Sequence, residues 1–206
     1  MRTKESNFFW PSYTDLMTSL FFVMLVLYVL TFVKLKYQQQ ATLEQLNKIK
    51  EVQSAVKELD TVYFSYQPEY KRFTLNKQIH FEKGSSLINP GDVTYLHSVG
   101  KCIMDLIQKL KKKYNNDNIK YLIVIEGMSS KSHYNVDEYR NNDVLSYQRS
   151  LSLLKMWNEN GINFDPNICD VQVAGSGEGG IGRDIQNEEA NQRFLIQIIP
   201  KIGEIK

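Results

Sequence analysis

The sequence has few of the residues that build metal sites, disulfide frameworks or nucleophilic catalytic centres. It contains two cysteines and three histidines among 206 residues. None of them stands at the spacing of zinc ligands, so we predict no metal site and no bound cofactor. No nucleophile and base are neighbours in the sequence, and we therefore predict that the chain is not an enzyme. Cys102 and Cys169 either pair in an oxidising compartment or remain buried thiols.

The net charge is also small. Lysine and arginine number 25 and aspartate and glutamate 23, which gives a formal net charge of +2. The basic residues are scattered and form no stripe. Nucleic acid is therefore not a predicted partner, because its phosphate backbone is bound by clustered basic side chains.

Charge is absent from most of the N-terminal region. No charged residue occurs between Asp15 and Lys34, and residues 8–33 are long and apolar enough to cross a membrane. We predict a transmembrane helix over residues 8–33, preceded by residues 1–7. Its length, and the lack of a small-residue cleavage site after it, favour a retained anchor over a cleaved signal peptide. Basic residues flank both ends, so the positive-inside rule leaves its orientation open.

One acidic residue, Asp15, lies inside this apolar segment. A charged side chain at membrane depth costs about 2.5–3.5 kcal/mol, and such residues mark ion or proton pathways. Helical spacing places three polar side chains on its side of the helix, namely Ser12, Thr18 and Ser19. In one interpretation Asp15 carries a proton, with candidate hydroxyl groups from Tyr13, Thr18 and Ser19. In the other, Ser12 caps a helix that starts at Tyr13, and Asp15 is merely favoured in its first turn.

Residues 10–21 read WPSYTDLMTSLF. This string resembles the proton-carrying helix of flagellar stator B subunits, the MotB family, and more closely that of the B subunits of the Zorya anti-phage defence systems (ZorB). The resemblance implies a bacterial inner-membrane protein with a cytoplasmic N-terminus and an extracytoplasmic C-terminal domain. It also implies a multi-span MotA/ZorA-like partner around a homodimer of this chain, since a lone helix would leave Asp15 facing lipid.

Residues 34–60 contain neither proline nor glycine. A seven-residue repeat runs through them, at Leu35, Thr42, Ile49 and Val56, with Val52 and Leu59 in the second core position. The repeat predicts either a helical stalk that pairs with a second copy or a solvated single helix. Residues 62–71 are aromatic and include Pro68, and we interpret them as a connector. The predicted stalk and linker cover residues 34–68, and the folded domain covers residues 69–206.

The folded domain alternates between predicted strands and helices. Alternating apolar residues predict a first strand over residues 73–81. Helical spacing predicts one helix from residue 93 to the basic residues 111–113 and a second helix from about residue 142 to Gly161. Further strands are predicted over residues 121–126, 171–174 and 194–199. This order predicts an α/β sandwich with a mixed sheet.

Six short motifs punctuate these elements. They are IHFEKGSSL at 79–87, IEG at 125–127, NDVLSYQRS at 142–150, GI at 161–162, VAGSGE at 173–178 and NQRF at 191–194. In this order and spacing they resemble the OmpA-like peptidoglycan-binding domain over nearly all of residues 70–200. The resemblance implies that Arg149 binds a carboxylate of the peptidoglycan peptide beside Asn142 and Leu145. Arg193 is a further candidate, or a tie between the last strand and a loop.

The sequence departs from that family at one position of the expected site. The family has Gly-His-Thr-Asp where residues 127–130 read GMSS, so Ser130 replaces the aspartate that would bind an amine. Asp137 and Glu138 are candidate substitutes. Gly175, Gly177 and Gly180 formally match a dinucleotide-binding fingerprint, but residues 181–189 are too polar for the helix that this fingerprint requires, and we predict a surface loop.

The acidic residue in the apolar segment, together with the two resemblances, implies a proton-channel and cell-wall-anchoring subunit of an ion-driven motor in anti-phage defence. Two alternatives remain at this point. The chain is a stator subunit for motility with the same mechanism, or it is a passive, wall-anchored membrane protein in which Asp15 carries nothing.

Overall fold

A single long helix, α1 (Phe9–Lys57), forms the N-terminal part of the protein. The computed structural model describes residues 9–57, 59, 61–114, 119–131 and 142–202. Contacts divide the chain into two units, Met1–Lys48 and Ile49–Lys206. The helix is long and apolar enough to cross a membrane, and its side chains over residues 13–33 are exposed in the isolated chain. The predicted apolar N-terminal helix is confirmed.

The end of the predicted heptad repeat belongs to the core of the second unit. Val56 and Leu59 are each only 4% exposed and lie in the same apolar cluster as Phe64. Leu35, at the start of the same repeat, is 54% exposed. The seven-residue spacing at its C-terminal end therefore reflects packing within the folded domain, because a helix face that packs on a domain repeats with nearly the same period as a coiled-coil seam.

This difference predicts unequal effects of truncating two leucines. Leu59→Ala is expected to lower the free energy of unfolding of the second unit by about 2–5 kcal/mol, because it leaves a cavity in a packed core. Leu35→Ala is expected to change it by less than about 0.5 kcal/mol, since that side chain is exposed. Urea denaturation of the detergent-solubilised chain, followed by tryptophan fluorescence, measures both. Equal losses would place Leu59 outside the core.

The sheet begins earlier in the chain than the sequence predicted. Strand β1 (Phe64–Gln67) pairs antiparallel with β2 (Arg72–Leu75). The predicted connector over residues 62–71 is therefore wrong. Its aromatic residues serve cross-strand packing, because the Phe73 ring lies 6.0 Å from that of Phe64 and 5.0 Å from that of Tyr66.

The predicted strand over residues 73–81 is also too long, because β2 ends at Leu75. The next residue, Asn76, turns its side chain to the segment before β1, and its Nδ2 donates to the carbonyls of Thr61 at 2.7 Å and Val62 at 3.0 Å. These bonds hold the open end of the hairpin together. The second unit starts at Ile49 and includes both the end of α1 and this hairpin.

Helices α2 (Pro90–Lys113) and α3 (Asn142–Glu159) confirm the two predicted helices of the domain. Asn89 caps α2 by accepting a hydrogen bond from the backbone N–H of Gly91 at 3.0 Å. The two helices approach closely at Gly100, where an added Cβ would lie 2.7 Å from Nε1 of Trp157. That indole nitrogen donates to the carbonyl of Leu96 at 2.7 Å, which fixes the contact.

The remaining strands are β3 (Ile119–Gly127), β4 (Cys169–Gly175) and β5 (Phe194–Ile202). The order across the sheet is β1-β2-β5-β3-β4, with β3 and β4 parallel and the other neighbours antiparallel. Alternate side chains such as Ile123, Ile125 and Ile196 are buried in the core. The predicted α/β fold with a mixed sheet is confirmed.

Cys169 is a buried free thiol. Burial, with the nearby carboxylates of Asp165 and Asp170, raises the pKa of this thiol to about 11. Such a thiol is almost entirely protonated near neutral pH and reacts slowly. Of the two possibilities for the cysteines, the structure has no disulfide between Cys102 and Cys169. Cys169 is a buried thiol, as the second possibility predicted, and Cys102 is half-buried.

Candidate functional site

Asp15 lies in the second turn of α1, because the helix already includes Phe9. The alternative in which the helix starts at Tyr13, with Ser12 as its cap, is therefore wrong. The Asp15 side chain is exposed in the isolated chain. If α1 crosses a membrane, a carboxylate in this position requires polar groups from other helices, because lipid offers none.

The three candidate hydroxyl groups differ in their relation to Asp15. Thr18 and Ser19 donate to backbone carbonyls three or four residues earlier, at 2.9–3.0 Å, and lie on the same side of the helix as the carboxylate. Tyr13 precedes Asp15 by two residues, which places it about 160° around the helix. The structure therefore brings Thr18 and Ser19 to the side of Asp15, and leaves Tyr13 on the opposite side.

The second candidate site is centred on Arg149 of α3, which is only 3% exposed. Its guanidinium carbon lies 4.3 Å from the ring centroid of Phe81, and Nε donates to the carbonyl of Ser85 at 3.1 Å. Nη1 is buried and has no hydrogen-bond partner among the described residues. Arg149 is therefore not a solvated surface residue of α3, because this face of the helix lies against residues 81–85.

Burial gives this arginine a specific chemistry. Removal from water lowers the pKa of Arg149 to about 10, so the group stays charged near neutral pH. A buried cation with an unused N–H group is costly unless an anion approaches it. A carboxylate is a suitable ligand, because a guanidinium binds it through charge-assisted hydrogen bonds.

Asn142 lies about two turns and Leu145 about one turn before Arg149 on α3. Asn142 donates from Nδ2 to Oε2 of Glu178 at 3.2 Å, and its backbone carbonyl accepts a hydrogen bond from the Ser129 hydroxyl at 3.2 Å. Leu145 is half-buried. Seven residues separate Asn142 from Arg149, so the two lie on the same side of α3 and about 10 Å apart along its axis.

After β3, where the resemblance to OmpA-like domains leads us to expect a carboxylate, this chain has the hydroxyl group of Ser130. Ser130 Oγ accepts a hydrogen bond from Nε2 of Gln192 at 3.1 Å. The candidate substitutes Asp137 and Glu138 lie outside the described residues. Glu178 is a carboxylate near the start of α3 that sequence reasoning missed as a site residue. Its place in the VAGSGE motif was the available signal, but only the fold brings that loop to Asn142.

Arg193 ties the start of β5 to a loop. Its Nη2 donates to the carbonyl of Gly182 at 2.6 Å, and its Nε is buried without a partner among the described residues. Burial, reinforced by the nearby Arg72 cation, lowers the pKa of Arg193. Neighbouring Arg183 is fully engaged, since it donates to the carbonyl of Ser129 and pairs with Glu188.

The glycine-rich segment after β4 is a loop, as predicted. Residues 176–188 contain no helix, so the requirement of a dinucleotide fingerprint is not met. Gly177 has a φ of +54°, and an added Cβ there would collide with the carboxylate of Asp143. The glycines of this loop serve tight turns and close approach to α3.

No protein-family model and no curated protein sequence matches the chain. Solved structures with a similar arrangement include the C-terminal domain of Helicobacter pylori MotB (20% identity, TM-score 0.40, covering 62% of this chain and 85% of that one). A putative MotB-like protein from Desulfovibrio vulgaris covers 80% of this chain and 99% of its own, at 15% identity and a TM-score of 0.42. The OmpA-like domain of FopA1 from Francisella tularensis has 13% identity and a TM-score of 0.39, with 68% and 79% covered.

Proposed function

We propose that this chain is a single-pass inner-membrane subunit of an ion-driven motor that acts in anti-phage defence. In this proposal Asp15 carries the proton, and the C-terminal domain holds the complex to peptidoglycan. The observation that carries the proposal is the single carboxylate within the otherwise uncharged apolar segment of α1, residues 9–33. The resemblance of residues 10–21 to the B subunits of Zorya supports the defence role over motility.

Membrane partners follow from the exposure of Asp15. A carboxyl group that faces lipid has no path along which to exchange protons, so other helices must supply polar groups or water beside it. A multi-span subunit of the MotA/ZorA type and a second copy of α1 would provide these surfaces. Thr18 and Ser19 then lie at the helix contact, because they share the side of Asp15. Proton uptake and release at Asp15 alters its charge, and therefore its contacts with the partner helices.

Wall binding is proposed for the face of α3 that carries Arg149. The Nη1 of this buried guanidinium has no hydrogen-bond partner among the described residues, which supports a carboxylate ligand, and the peptides of peptidoglycan carry carboxylates. Asn142 and Leu145 continue the same face toward the start of the helix. Because Ser130 replaces the family's aspartate, the ligand's amine is not held by a carboxylate at that position. We assign the binding of this amine to the carboxylate of Glu178, which accepts a hydrogen bond from Asn142.

The proposal is tested by phage plaque formation on cells that express the chain with its multi-span partner. Protection is expected from the wild type and is expected to vanish in Asp15→Asn, which preserves shape but cannot cycle a proton. Thr31→Val is the matched control, because Thr31 is also a polar residue of the apolar helix and its hydroxyl only bonds the carbonyl of Tyr28. Membrane levels are equalised by immunoblot.

Each outcome of that assay has a defined meaning. Equal protection by wild type and Asp15→Asn would contradict the proton-carrier role and leave a passive anchor. Protection by neither would contradict the defence role, and swimming assays of the same strains would then test motility.

A further inference from the structure

A cavity lies on the sheet face opposite helices α2 and α3. Arg72, Glu126 and Gln197 line it from β2, β3 and β5, and each alternates with core residues on its strand. Tyr70 and the glycine-rich loop at Gly179 complete the lining, and the cavity volume is about 540 Å³. This cavity is separate from the face of α3 that carries Arg149.

Arg72 is held rigidly at the wall of this cavity. It is 3% exposed, its Nε donates to Oε1 of Gln67 at 3.0 Å, and its Nη2 donates to the carbonyl of Ile181 at 2.6 Å. The Tyr70 ring centroid lies 4.7 Å from the guanidinium carbon. The loop approaches this pair at Gly182, where an added Cβ would lie 2.7 Å from Nη2 of Arg72. The third guanidinium nitrogen of Arg72, Nη1, makes neither of these hydrogen bonds and faces Glu126.

The pair formed by Arg72 and Glu126 is incomplete. Nη1 of Arg72 lies 3.9 Å from Oε2 of Glu126, and the side chains are 4% and 19% exposed. This distance is too long for a hydrogen bond, although the two opposite charges still attract each other. The N–H groups on Nη1 of Arg72 and the lone pairs on Oε2 of Glu126 are therefore available to a ligand. Among the described residues, no shorter polar contact is made by Nη1 of Arg72 or by the Glu126 carboxylate, and the Arg193 cation also acts on Glu126. A ligand with one group of each sign satisfies both.

The backbone at this point is held in an uncommon conformation. Lys71, between the two cavity residues Tyr70 and Arg72, has a φ of +51°, in the region that disfavours residues other than glycine. Such conformations persist where the surrounding structure requires them, and they cluster at ligand sites. Here the turn places the Tyr70 ring on the Arg72 guanidinium.

We infer that this cavity binds an α-amino-acid zwitterion, with its carboxylate on Arg72 and its ammonium group on Glu126. The two charged groups of an α-amino acid stand on one carbon atom, which matches an arginine and a carboxylate separated by 3.9 Å. Tyr70 and Gln197 then face the rest of the ligand. The inference does not depend on Asp15 or on wall binding through Arg149.

Titration of the detergent-solubilised full chain with alanine, followed by saturation-transfer NMR, tests the assignment. Saturable binding is expected. Propionate lacks the ammonium group and ethylamine lacks the carboxylate, so each is expected to bind at least about tenfold more weakly. Glu126→Gln is expected to weaken alanine binding about tenfold or more and to leave propionate binding unchanged. Thermal unfolding of each variant checks that it is folded.

Two further variants locate the site. Gly179→Val is expected to weaken alanine binding, because Gly179 lines the cavity, and to leave the fold intact, because an added Cβ meets only the carbonyl of Ser176 at 3.9 Å. Ile185→Ala, in the same loop and 92% exposed, is the matched control and should bind normally. Arg149→Met should also bind alanine normally, which separates this site from the wall site.

The source of the ligand is distinguished by competition. If muropeptides displace alanine from wild type and from Arg149→Met alike, the zwitterion is the end of a wall peptide. If they do not displace it, the ligand is a free amino acid. Absence of saturable alanine binding, or equal alanine binding by Glu126→Gln and wild type, would overturn the inference.

Discussion

Replacing Asp15 with asparagine is expected to abolish proton flux through the membrane complex that we propose for this chain and a multi-span partner. The asparagine amide has nearly the same shape as the carboxyl group, but it neither takes up nor releases a proton near neutral pH. The charged form of Asp15 is expensive at membrane depth, by at least about 2.5–3.5 kcal/mol, so protonation there changes which helix contacts are favourable. Proteoliposomes that contain the chain and its multi-span partner, loaded with a pH-sensitive dye, measure the flux under an imposed potential.

Two variants control for this experiment. Asp15→Glu keeps an ionisable group and should retain measurable flux. Thr18→Val should retain most of the flux, because the Thr18 hydroxyl is already bonded to carbonyls of its own helix. Flux in Asp15→Asn equal to that of the wild type would refute the role of Asp15. Flux that requires sodium instead of a proton gradient would keep Asp15 as the carrier but change the ion.

Most regular elements of the domain are readable from the sequence because their burial is periodic. Helix α2 and strands β3 and β5 are each long enough for the pattern of apolar residues to identify them. β1 is different: it has four residues, is followed by Pro68, and is stabilised by rings on the neighbouring strand rather than by its own pattern. The packing of Val56 in the core of the domain is also not predictable from the sequence, because the same apolar stripe on a helix fits both a coiled coil and a contact with a domain.

The candidate sites, too, are only partly predictable from the sequence. The position of Arg149 follows from a motif, but its burial and its bond to the carbonyl of Ser85 arise from the chain folding back, and a backbone carbonyl carries no signal in the side-chain sequence. Glu178 reaches Asn142 across 36 residues. The pairing of Arg72 with Glu126 depends on strand order, because β5 separates β2 from β3 in the sheet.

Arg149→Met is expected to weaken binding to purified peptidoglycan sacculi by about 30-fold or more, which corresponds to at least about 2 kcal/mol. The loss arises because the guanidinium supplies the only charge that we assign to the ligand's carboxylate. The same substitution is expected to leave the free energy of unfolding within about 1 kcal/mol of the wild type, or to raise it. Methionine fills a similar volume and removes a buried cation whose Nη1 lacks a partner, so lost contacts with Phe81 and Ser85 are offset.

Arg183→Met is expected to have the reverse effects, a loss of stability with unchanged wall binding. Its guanidinium is fully engaged by the Ser129 carbonyl and Glu188, so the variant is expected to lose about 1.5–3 kcal/mol of stability. The protein that remains folded should bind sacculi normally. Co-sedimentation with sacculi and urea denaturation measure the two quantities on the same preparations. If Arg149→Met instead lost stability and kept wall binding, the buried guanidinium would be a structural group and not part of a ligand site.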